Sequence, residues 1–481
     1  MHGVFGPGTI NLTTGLANAL IDCAPVVALG GSSPLSQLDK AAFQEIDQVA
    51  VMKPVTKWAG RVHEAKRIPE YIDRAFRRAI SGKPGPVYLD FPSDTLYEEV
   101  DESAVVWPPQ VGAQRTIARP AADAAAIDEA IELLGAARQP IVLSGSGSMW
   151  SRAGDAFRSF VDLTGIPVYT TPQGRGIVSE DDAEFYGHSR TTALREADVI
   201  LIVGTRLNYV FAFGEAPRFG ATAKLIRIDI DADEIETGPP VRIGIVADAR
   251  AALQQLTAAA QGRISKDRYK DWRKKLADIQ LERLPRHEAK LANHQTPIHP
   301  LRLCREVPDF IDRDTILVVD GNEILNYGRQ VIPTFELGNR LNSGPFGIMG
   351  VGLPFGVGAK AARPDRKVLV LHGDGSFGLN GFEVDTAVRH KLPILIVISN
   401  NGGWTGDPDR DKVGRDLAYS RYDQLAESLG AFGLLVEKPQ DIRPALKRAA
   451  AAVAQGRVAL INVITDWRAR AQPVNFSRYT T

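Results

Sequence analysis

The sequence predicts an α/β protein built from three doubly wound parallel-sheet units. Short runs rich in Val, Ile and Leu each end in a Gly- or Asp-bearing turn, and a stretch rich in Ala, Leu and Arg follows. This alternation is typical of buried parallel strands connected by helices. The chain has 481 residues, of which 44% are hydrophobic and 24% charged, the composition of a globular protein large enough for several cores.

The predicted strands are the short apolar runs, and the predicted helices are the longer stretches between them. The strands are Pro25–Leu29, Pro86–Asp90, Pro140–Ser144, Val199–Val203, Lys224–Ile230, Thr315–Asp320, Lys367–His372, Ile394–Ser399 and Ala459–Val463. The helices include Asn11–Asp22, Ile68–Ser81, Ala122–Ala136, Ala153–Thr164, Ala249–Ala260, Gly381–Arg389, Tyr422–Leu429 and Ile442–Ala454.

Two changes in composition mark the boundaries between units. The stretch from Val106 to Pro120 is rich in proline and has little periodicity, as expected of a linker. The stretch from Arg263 to Gln295 is strongly charged and helical, and it ends at Thr296-Pro297. We therefore predict an N-terminal unit at 1–105, a central unit at 118–260, a helical connector at 261–295, a C-terminal unit at 296–468 and a tail at 469–481.

The charge balance and the two cysteines exclude several classes of protein. Basic and acidic residues number 57 each, so there is no electrostatic case for nucleic acid or an anionic membrane as a partner. Cys23 and Cys304 stand far apart, and we expect two reduced thiols and no zinc site. No apolar run approaches the roughly 18 residues of a spanning helix, and no signal-peptide pattern opens the chain. We expect a cytoplasmic protein that acts on a small molecule.

The strongest motif lies in the predicted C-terminal unit. One predicted strand leads into Gly373-Asp374-Gly375, and after 24 residues (376–399) the next leads into Asn400-Asn401. The carboxyl ends of neighbouring parallel strands lie at the ligand-binding edge of an open α/β sheet. Asp374 and Asn401 then offer oxygen ligands that suit Mg²⁺, and the two glycines let the backbone approach a phosphate. The pattern therefore predicts a site for magnesium and a diphosphate.

This motif resembles the signature of the thiamine-diphosphate-dependent enzymes, the superfamily of acetolactate synthase, oxalyl-CoA decarboxylase and benzaldehyde lyase. The resemblance implies that the side chains of Asp374 and Asn401 and the backbone carbonyl of Gly403 bind Mg²⁺. It makes the three units a pyrimidine-binding, a central Rossmann-like and a diphosphate-binding domain. It also implies that two turns contact the cofactor: Gly373, Asp374, Gly375 and Ser376 at the diphosphate, and Gly321, Asn322 and Glu323 at its far phosphate.

A glycine-rich segment, from Gly344 to Gly356, is the second family signal. In the family this stretch supports the bent form of the cofactor. The resemblance makes Met349 the wedge beneath the bend, and it makes the Gly347 carbonyl the acceptor for the exocyclic amine of the pyrimidine. By itself, a methionine is more typical of an ordinary core position, so the glycine-rich frame carries this prediction.

The N-terminal unit resembles the family's pyrimidine-binding domain only in part. Its run from Ile46 to Val62 is most similar to benzaldehyde lyase and the acyl-CoA lyases. Gln44 lies where related enzymes place an amide or carboxylate facing the reacting carbon; the alternative is a surface amide. The family's activating glutamate belongs to an opening strand and helix that this unit lacks, and Glu45 is at the wrong place in the motif order. We therefore expect a truncated domain, a hypothesis that the intact mass of the native protein would test.

The central unit has weak signals for a nucleotide. Gly145-Ser-Gly147 follows a predicted strand but does not complete a GxGxxG pattern. Carboxylates at strand ends can accept hydrogen bonds from ribose hydroxyls, as in dinucleotide folds. In the family this domain carries FAD, ADP or nothing, which makes Arg206, Asp229 and Asp248 candidate nucleotide contacts. The alternative is that they serve as turn and cap residues.

The resemblance implies an enzyme that makes or breaks a carbon–carbon bond next to a carbonyl, and it is strongest to the 2-hydroxyacyl-CoA lyases. Such a lyase splits a 2-hydroxyacyl-CoA into formyl-CoA and an aldehyde or ketone, or condenses them as a carboligase. Activities like those of acetolactate synthase or oxalyl-CoA decarboxylase are alternatives, and a non-catalytic cofactor-binding chain is the alternative from another class. Family members are homodimers or homotetramers. In acyl-CoA-using relatives a tail closes over the site, where Arg468, Arg470 and Arg478 would meet CoA phosphates; the alternative is a solvated chain end.

Overall fold

A computed structural model describes residues 2–3, 5–105, 107–108, 118–404 and 413–471. The chain forms two compact units, of which the first comprises Met1–Pro120 and Gly344–Ile348 and the second comprises Ala121–Ser343 and Met349–Thr481. The predicted tail therefore lies largely outside the described residues, Arg478 included. Within the described part of the chain, no helix combines the length and apolar character needed to cross a bilayer.

The first unit contains a four-stranded parallel sheet with the order β1-β2-β4-β3. Its strands are β1 (His2–Gly3), β2 (Val27–Ser32), β3 (Trp58–Arg61) and β4 (Val87–Pro92). Its helices are α1 (Pro7–Ile10), α2 (Thr13–Ile21), α3 (Gln48–Met52), α4 (Ile68–Ile80) and α5 (Ser93–Tyr97). All six residues of β4 are buried, as a strand at the centre of a doubly covered parallel sheet requires.

The second unit contains two parallel sheets, and the first has five strands in the order β6-β5-β7-β8-β9. These strands are β5 (Pro140–Ser144), β6 (Val168–Thr170), β7 (Val199–Val203), β8 (Lys224–Asp229) and β9 (Ile243–Val246). The helices of this part are α6 (Ala124–Ala136), α7 (Ser146–Trp150), α8 (Gly154–Thr164), α9 (Arg190–Glu196), α10 (Ala232–Glu236), α11 (Ala249–Ala260) and the long α12 (Lys270–Leu291).

The other sheet of the second unit has six parallel strands in the order β11-β10-β12-β13-β15-β14. They are β10 (Ile316–Asp320), β11 (Arg340–Leu341), β12 (Val368–Gly373), β13 (Leu395–Asn400), β14 (Phe432–Val436) and β15 (Ala459–Ile464). The helices are α13 (Pro300–Glu306), α14 (Glu323–Val331), α15 (Gly352–Ala362), α16 (Asp374–Asn380), α17 (Glu383–Arg389), α18 (Tyr422–Ser428) and α19 (Ile442–Ala454). Alternate strand residues pack into two apolar cores, one on each face of the sheet.

The predicted fold class is confirmed, since all three sheets are parallel and alternate with helices. Each of the nine predicted strands overlaps an observed one. The sequence did not reveal β1, β3, β6, β9, β11 and β14, and these six are the edge strands of the three sheets. The predicted helix Asn11–Asp22 is observed as the shorter α2 (Thr13–Ile21), and the separate short helix α1 precedes it. Both cysteines are buried and free, as predicted.

Candidate cofactor and metal site

The register of two neighbouring strands brings the predicted metal ligands together. Gly373, the last residue of β12, pairs with Ser399 of β13, so Asp374 lies beside the loop that follows β13. The Gly403 N–H in this loop donates a hydrogen bond of 2.9 Å to Asp374 Oδ2. Asp374 is only 3% exposed, and burial raises its pKa to about 6. A buried carboxylate of this kind favours a cation nearby.

Three oxygens converge at this point of the sheet. One of the two terminal atoms of the Asn401 side-chain amide lies 2.9 Å from the Gly403 carbonyl oxygen and 3.0 Å from Asp374 Oδ1. If this atom is the amide nitrogen, it donates hydrogen bonds to both oxygens. If it is the amide oxygen, the three oxygens can bind one cation together. An octahedral ion with ligands at about 2.0–2.1 Å has ligand–ligand edges of about 3 Å, so these residues fit Mg²⁺.

A buried amide network that the sequence did not reveal supports the loop after β13. Asn400 Nδ2 donates to Asn462 Oδ1 on β15 (3.1 Å) and to the Ser420 carbonyl (3.0 Å). Asn462 Nδ2 in turn donates to the Ser420 carbonyl (2.9 Å) and to Asp423 Oδ1 (3.3 Å). The Gly402 N–H donates to Asn400 Oδ1 (3.2 Å). Because Asn400 and Asn462 are fully buried, this network fixes the backbone from which Asn401 and Gly403 project.

Asp320 positions a neighbouring turn through its carboxylate, a role that the sequence also did not reveal. Its carboxylate accepts a hydrogen bond of 2.8 Å from the Gly352 N–H, and the nearby backbone amides of Gly321, Gly350 and Val351 favour its ionised form. Burial nevertheless raises the pKa of Asp320. The carboxylate thus fixes the turn that leads into α15 against the end of β10.

The two turns that are predicted to contact the cofactor's phosphates, at 321–323 and 373–376, lie next to each other at the ends of β10 and β12. Gly321 has a φ of +117°, and a Cβ there would lie 3.1 Å from the Gly373 nitrogen, so this position needs glycine. Asn322 is exposed, whereas Glu323 is half-buried and accepts a hydrogen bond from the Ala471 N–H (2.6 Å). Ser376 Oγ donates to the Gly373 carbonyl at 3.0 Å. Gly375 is buried in the first turn of α16, and backbone N–H groups at a helix N-terminus suit an anion.

The remaining predicted catalytic residues lie in or next to the glycine-rich segment and in the first unit. Met349 is half-buried, and Gly347 is exposed with a φ of +72°. Gln44 is exposed in a turn with a φ of +57°. The buried glutamine of the first unit is Gln48, whose Oε1 accepts from the Gly6 N–H (2.6 Å) and whose Nε2 donates to Asp90 Oδ1 (2.8 Å).

In the central part of the chain, the candidate nucleotide residues have structural partners. The Asp248 carboxylate caps α11 by accepting from the Ala251 N–H at 3.1 Å, and Asp229 Oδ1 accepts from the Asp231 N–H at 3.1 Å. Arg206 pairs with Glu234 at 3.5 Å. These are the turn and cap roles that the sequence left open as the alternative.

The glycines of the central motif have a packing role. A Cβ on Gly147 would lie 2.6 Å from the Gly204 Cα, and one on Gly145 would lie 2.4 Å from the Gly204 carbonyl oxygen. Glycine at Gly145 and Gly147 therefore serves the close approach of two loops at the ends of β5 and β7. This contact accounts for the motif without a phosphate.

Three family models match the chain, and together they cover most of it. The "Thiamine pyrophosphate enzyme, N-terminal TPP binding domain" matches residues 2–51. The "Thiamine pyrophosphate enzyme, central domain" matches 127–256, and the "C-terminal TPP binding domain" of the same family matches 325–463. The last match contains the site formed by the ends of β12 and β13.

Similar proteins with assigned names cover nearly the whole chain. A "Probable acetolactate synthase" of Mycobacterium bovis is 34% identical over 469 residues, which is 96% of this chain and 83% of that protein. A "2-hydroxyacyl-CoA lyase" of Arabidopsis thaliana is 31% identical over 482 residues, 96% of this chain and 84% of that protein. An "Oxalyl-CoA decarboxylase" of Escherichia coli (strain K12) is 29% identical over 475 residues, 96% and 83% of the two chains.

Proposed function

Because this chain belongs to the thiamine pyrophosphate enzyme family, we propose that it is a lyase that cleaves a 2-hydroxyacyl-CoA into formyl-CoA and an aldehyde or ketone. The observation that carries the cofactor chemistry is the convergence of oxygens from Asp374, Asn401 and Gly403. The choice of substrate rests on the run from Ile46 to Val62 and on the similarity to named 2-hydroxyacyl-CoA lyases.

The proposed metal is Mg²⁺, held by Asp374 and Asn401 through their side chains and by Gly403 through its carbonyl. Two carbonyl-type oxygens and one carboxylate leave the other positions of an octahedron for diphosphate oxygens and water. The proposed diphosphate contacts are Gly373, Gly375 and Ser376, and the turn at 321–323 receives the far phosphate.

When bound, thiamine diphosphate supplies the nucleophilic carbon and the electron sink for breaking a bond next to a carbonyl. The residues of this chain position that chemistry. Met349 would support the cofactor, the Gly347 carbonyl would accept a hydrogen bond from its exocyclic amine, and Gln44 would face the reacting carbon. Asp320 contributes indirectly, because its hydrogen bond to the Gly352 N–H fixes the turn that follows Met349.

Other activities and partners form the alternatives to this proposal. Acetolactate synthesis is supported by the Mycobacterium bovis relative and oxalyl-CoA decarboxylation by the Escherichia coli one. A non-catalytic cofactor-binding chain is the alternative outside enzymes. ADP or FAD would bind near Arg206, Asp229 and Asp248, with their capping contacts rearranged. We also propose a homodimer or homotetramer and the domain bounds 1–105, 118–260 and 296–468.

The proposal is tested by product analysis with the full chain, thiamine diphosphate and Mg²⁺. We expect a 2-hydroxyacyl-CoA to give formyl-CoA and the aldehyde that is one carbon shorter, both identified by liquid chromatography and mass spectrometry. Pyruvate and oxalyl-CoA are supplied in parallel. Formation of acetolactate and CO₂ from pyruvate would instead support an acetolactate synthase. Formation of formyl-CoA and CO₂ from oxalyl-CoA would support an oxalyl-CoA decarboxylase. Cofactor binding without any product would instead support the non-catalytic chain.

Replacement of Asn462 tests how the metal loop is positioned. In Asn462→Leu, the Asn400 amide loses its acceptor on β15, and the loop that carries Asn401 and Gly403 loses a support. Groups bonded directly to metal ligands typically contribute roughly 10–100-fold to metal affinity, and Asn462 acts one residue further away, so we expect the Mg²⁺ concentration for half-maximal cofactor binding to rise about 3–10-fold. Asn339→Leu, which removes an exposed amide bonded to the Arg313 carbonyl, is the control. An unchanged Mg²⁺ requirement would show that Asn462 only fills space.

A further inference from the structure

His372 is a fully buried polar residue on a strand whose preceding residues are all apolar. It follows the Val and Leu residues at 368–371 in β12 and is 0% exposed. The strand register pairs it with Asp320 of β10, and Gly373 comes directly after it. Burying an imidazole is costly unless its nitrogens find hydrogen-bond partners. A polar ring at this place, directly before the Gly-Asp-Gly turn, therefore calls for a role besides packing.

The two ring nitrogens of His372 have different surroundings. Nδ1 lies 3.2 Å from Ser376 Oγ and 3.8 Å from Asp320 Oδ2. Nε2 has no hydrogen-bond partner within the described parts of the chain. It faces the backbone of Gly352, where an added Cβ would lie 2.7 Å from Nε2 and 2.5 Å from Cε1. The ring of Phe377 packs edge-on against the imidazole at 5.7 Å, so both sides of the ring are in contact.

These surroundings favour a neutral ring with its proton on Nδ1. Burial lowers the pKa of His372 to about 3, so the ring carries a single proton. On Nε2 that proton would be a buried donor without an acceptor among the described residues. On Nδ1 it can be donated to Ser376 Oγ, because the serine hydroxyl spends its own proton on the Gly373 carbonyl at 3.0 Å. The nearby Asp320 carboxylate also attracts the proton to Nδ1.

A protonated Nδ1 decides how Ser376 can meet an anion. A serine hydroxyl has one proton to donate and two lone pairs that accept. With the Nδ1–H group on one lone pair, the hydroxyl proton must point away from His372, towards the Gly373 carbonyl or towards a phosphate oxygen. An unprotonated Nδ1 would instead compete for this proton, and Ser376 would then present lone pairs to the anion. His372 therefore keeps Ser376 a donor at the turn 373–376.

We propose that His372 is a positioning residue for the diphosphate, whose Nδ1–H group holds Ser376 Oγ so that the serine hydroxyl donates to a phosphate oxygen. His372 acts through Ser376 and does not touch the cofactor. This inference rests on the proposed cofactor site but not on the proposed lyase activity. Backbone amides of the turns at 321–323 and 373–376 would bind phosphate without it, so we expect weaker binding in its absence and not complete loss.

The first test is a double-mutant cycle on the affinity for thiamine diphosphate, measured by calorimetry at saturating Mg²⁺. Ser376→Ala should weaken binding roughly tenfold or more, because a hydrogen bond to a charged group is lost. His372→Leu should weaken it about 3–10-fold, since the hydroxyl stays but loses its orientation. The double variant should bind about as weakly as Ser376→Ala alone, because the two residues act in series. Losses that multiply in the double variant would overturn the proposal.

The second test separates hydrogen bonding from packing. Asparagine carries an amide nitrogen where His372 has Nδ1, whereas glutamine resembles histidine more in volume but places its amide near Nε2. His372→Asn should therefore bind the cofactor within about twofold of the unchanged protein, and His372→Gln about as weakly as His372→Leu. His390→Asn, at an exposed histidine, is the control and should change nothing. A packing role predicts the reverse order, so tighter binding by His372→Gln than by His372→Asn would overturn the proposal. This comparison also serves if His372→Leu fails to fold.

A spectroscopic test needs no activity. In protein labelled with ¹⁵N at histidine, the pair of signals that disappears in His372→Asn should show a protonated Nδ1 and an unprotonated Nε2. A protonated Nε2 would overturn the proposal. Cofactor binding without product would refute the lyase and leave the role of His372 standing, whereas product formation with binding that is indifferent to His372 would do the opposite. Absence of cofactor binding by the unchanged protein would overturn both.

Discussion

Asp374→Ala should abolish Mg²⁺-dependent binding of thiamine diphosphate by this chain. The carboxylate is the only charged ligand in the proposed metal set, and it also accepts the Gly403 N–H at 2.9 Å. Since outer partners of a metal typically contribute about 10–100-fold, loss of this direct ligand should weaken cofactor binding by more than about 100-fold. Calorimetric titration of the cofactor with and without Mg²⁺ measures the effect. Removal of Mg²⁺ with EDTA should make the unchanged protein behave like the variant.

Two controls separate loss of the metal site from loss of the fold. Asp385→Ala removes an exposed carboxylate on α17 that pairs with Arg389, and it should bind the cofactor normally. Burial raises the pKa of Asp374 to about 6, so at pH 8 its ionised form opposes folding when no cation is present. The alanine variant should therefore stay folded in metal-free buffer. Equal cofactor binding by Asp374→Ala and the unchanged protein would contradict the proposed site.

Asp320→Ala should cause the largest loss of stability among the site variants. The carboxylate accepts from the Gly352 N–H at 2.8 Å, and alanine would leave this buried donor without its acceptor. An unsatisfied buried hydrogen-bond donor costs about 1–3 kcal/mol, so a loss of that size is expected. Urea unfolding monitored by circular dichroism should show the shift as a lower midpoint. Cofactor affinity should fall as well, because the turn after Met349 is released.

The comparison variants define what this loss means. Asp320→Asn keeps one oxygen acceptor and should lose less stability than the alanine variant. Asp365→Ala, at an exposed carboxylate paired with Arg363, should leave the unfolding midpoint unchanged. If Asp320→Ala unfolds at the same urea concentration as Asp365→Ala, the turn at Gly352 does not depend on Asp320, and its proposed positioning role is wrong.

The sequence revealed the inner strands of each sheet and concealed the outer ones for a physical reason. An inner strand such as β7 or β13 is buried along its whole length and therefore appears as an unbroken apolar run. An edge strand is half-covered, and its signal is weaker: β9 alternates buried and exposed residues, and β6 has only three residues. The difference in burial between inner and edge strands arises from their neighbours in the sheet, so the strand propensity of the local sequence does not reveal it.

The same limit applies to the site. The Gly-Asp-Gly and Asn-Asn motifs placed Asp374 and Asn401 at adjoining strand ends, because parallel strands share one ligand-binding edge. The support from Asn462 and Asp320 could not be predicted, because each contacts residues that lie far away in the sequence. Asn462 reaches Asn400 across 62 residues, and Asp320 reaches Gly352 across 32. Similarly, the sequence did not reveal that Gln48 is buried whereas the nearby Gln44 is exposed.

Because Gly373 pairs with Ser399, cofactor binding can be used to follow when the correct strand register forms during folding. A slip of one residue between β12 and β13 would move Asp374 by about 3.3 Å along its strand and turn alternate side chains to the other face. A refolding chain could therefore be compact and helical and still be unable to load Mg²⁺ and cofactor. Parallel strands pair slowly during folding, because segments far apart in the sequence must come together, at a cost in chain entropy, before their contacts can form. Trp404 packs against Gly375, so its fluorescence with added cofactor would time the moment at which the correct register is reached.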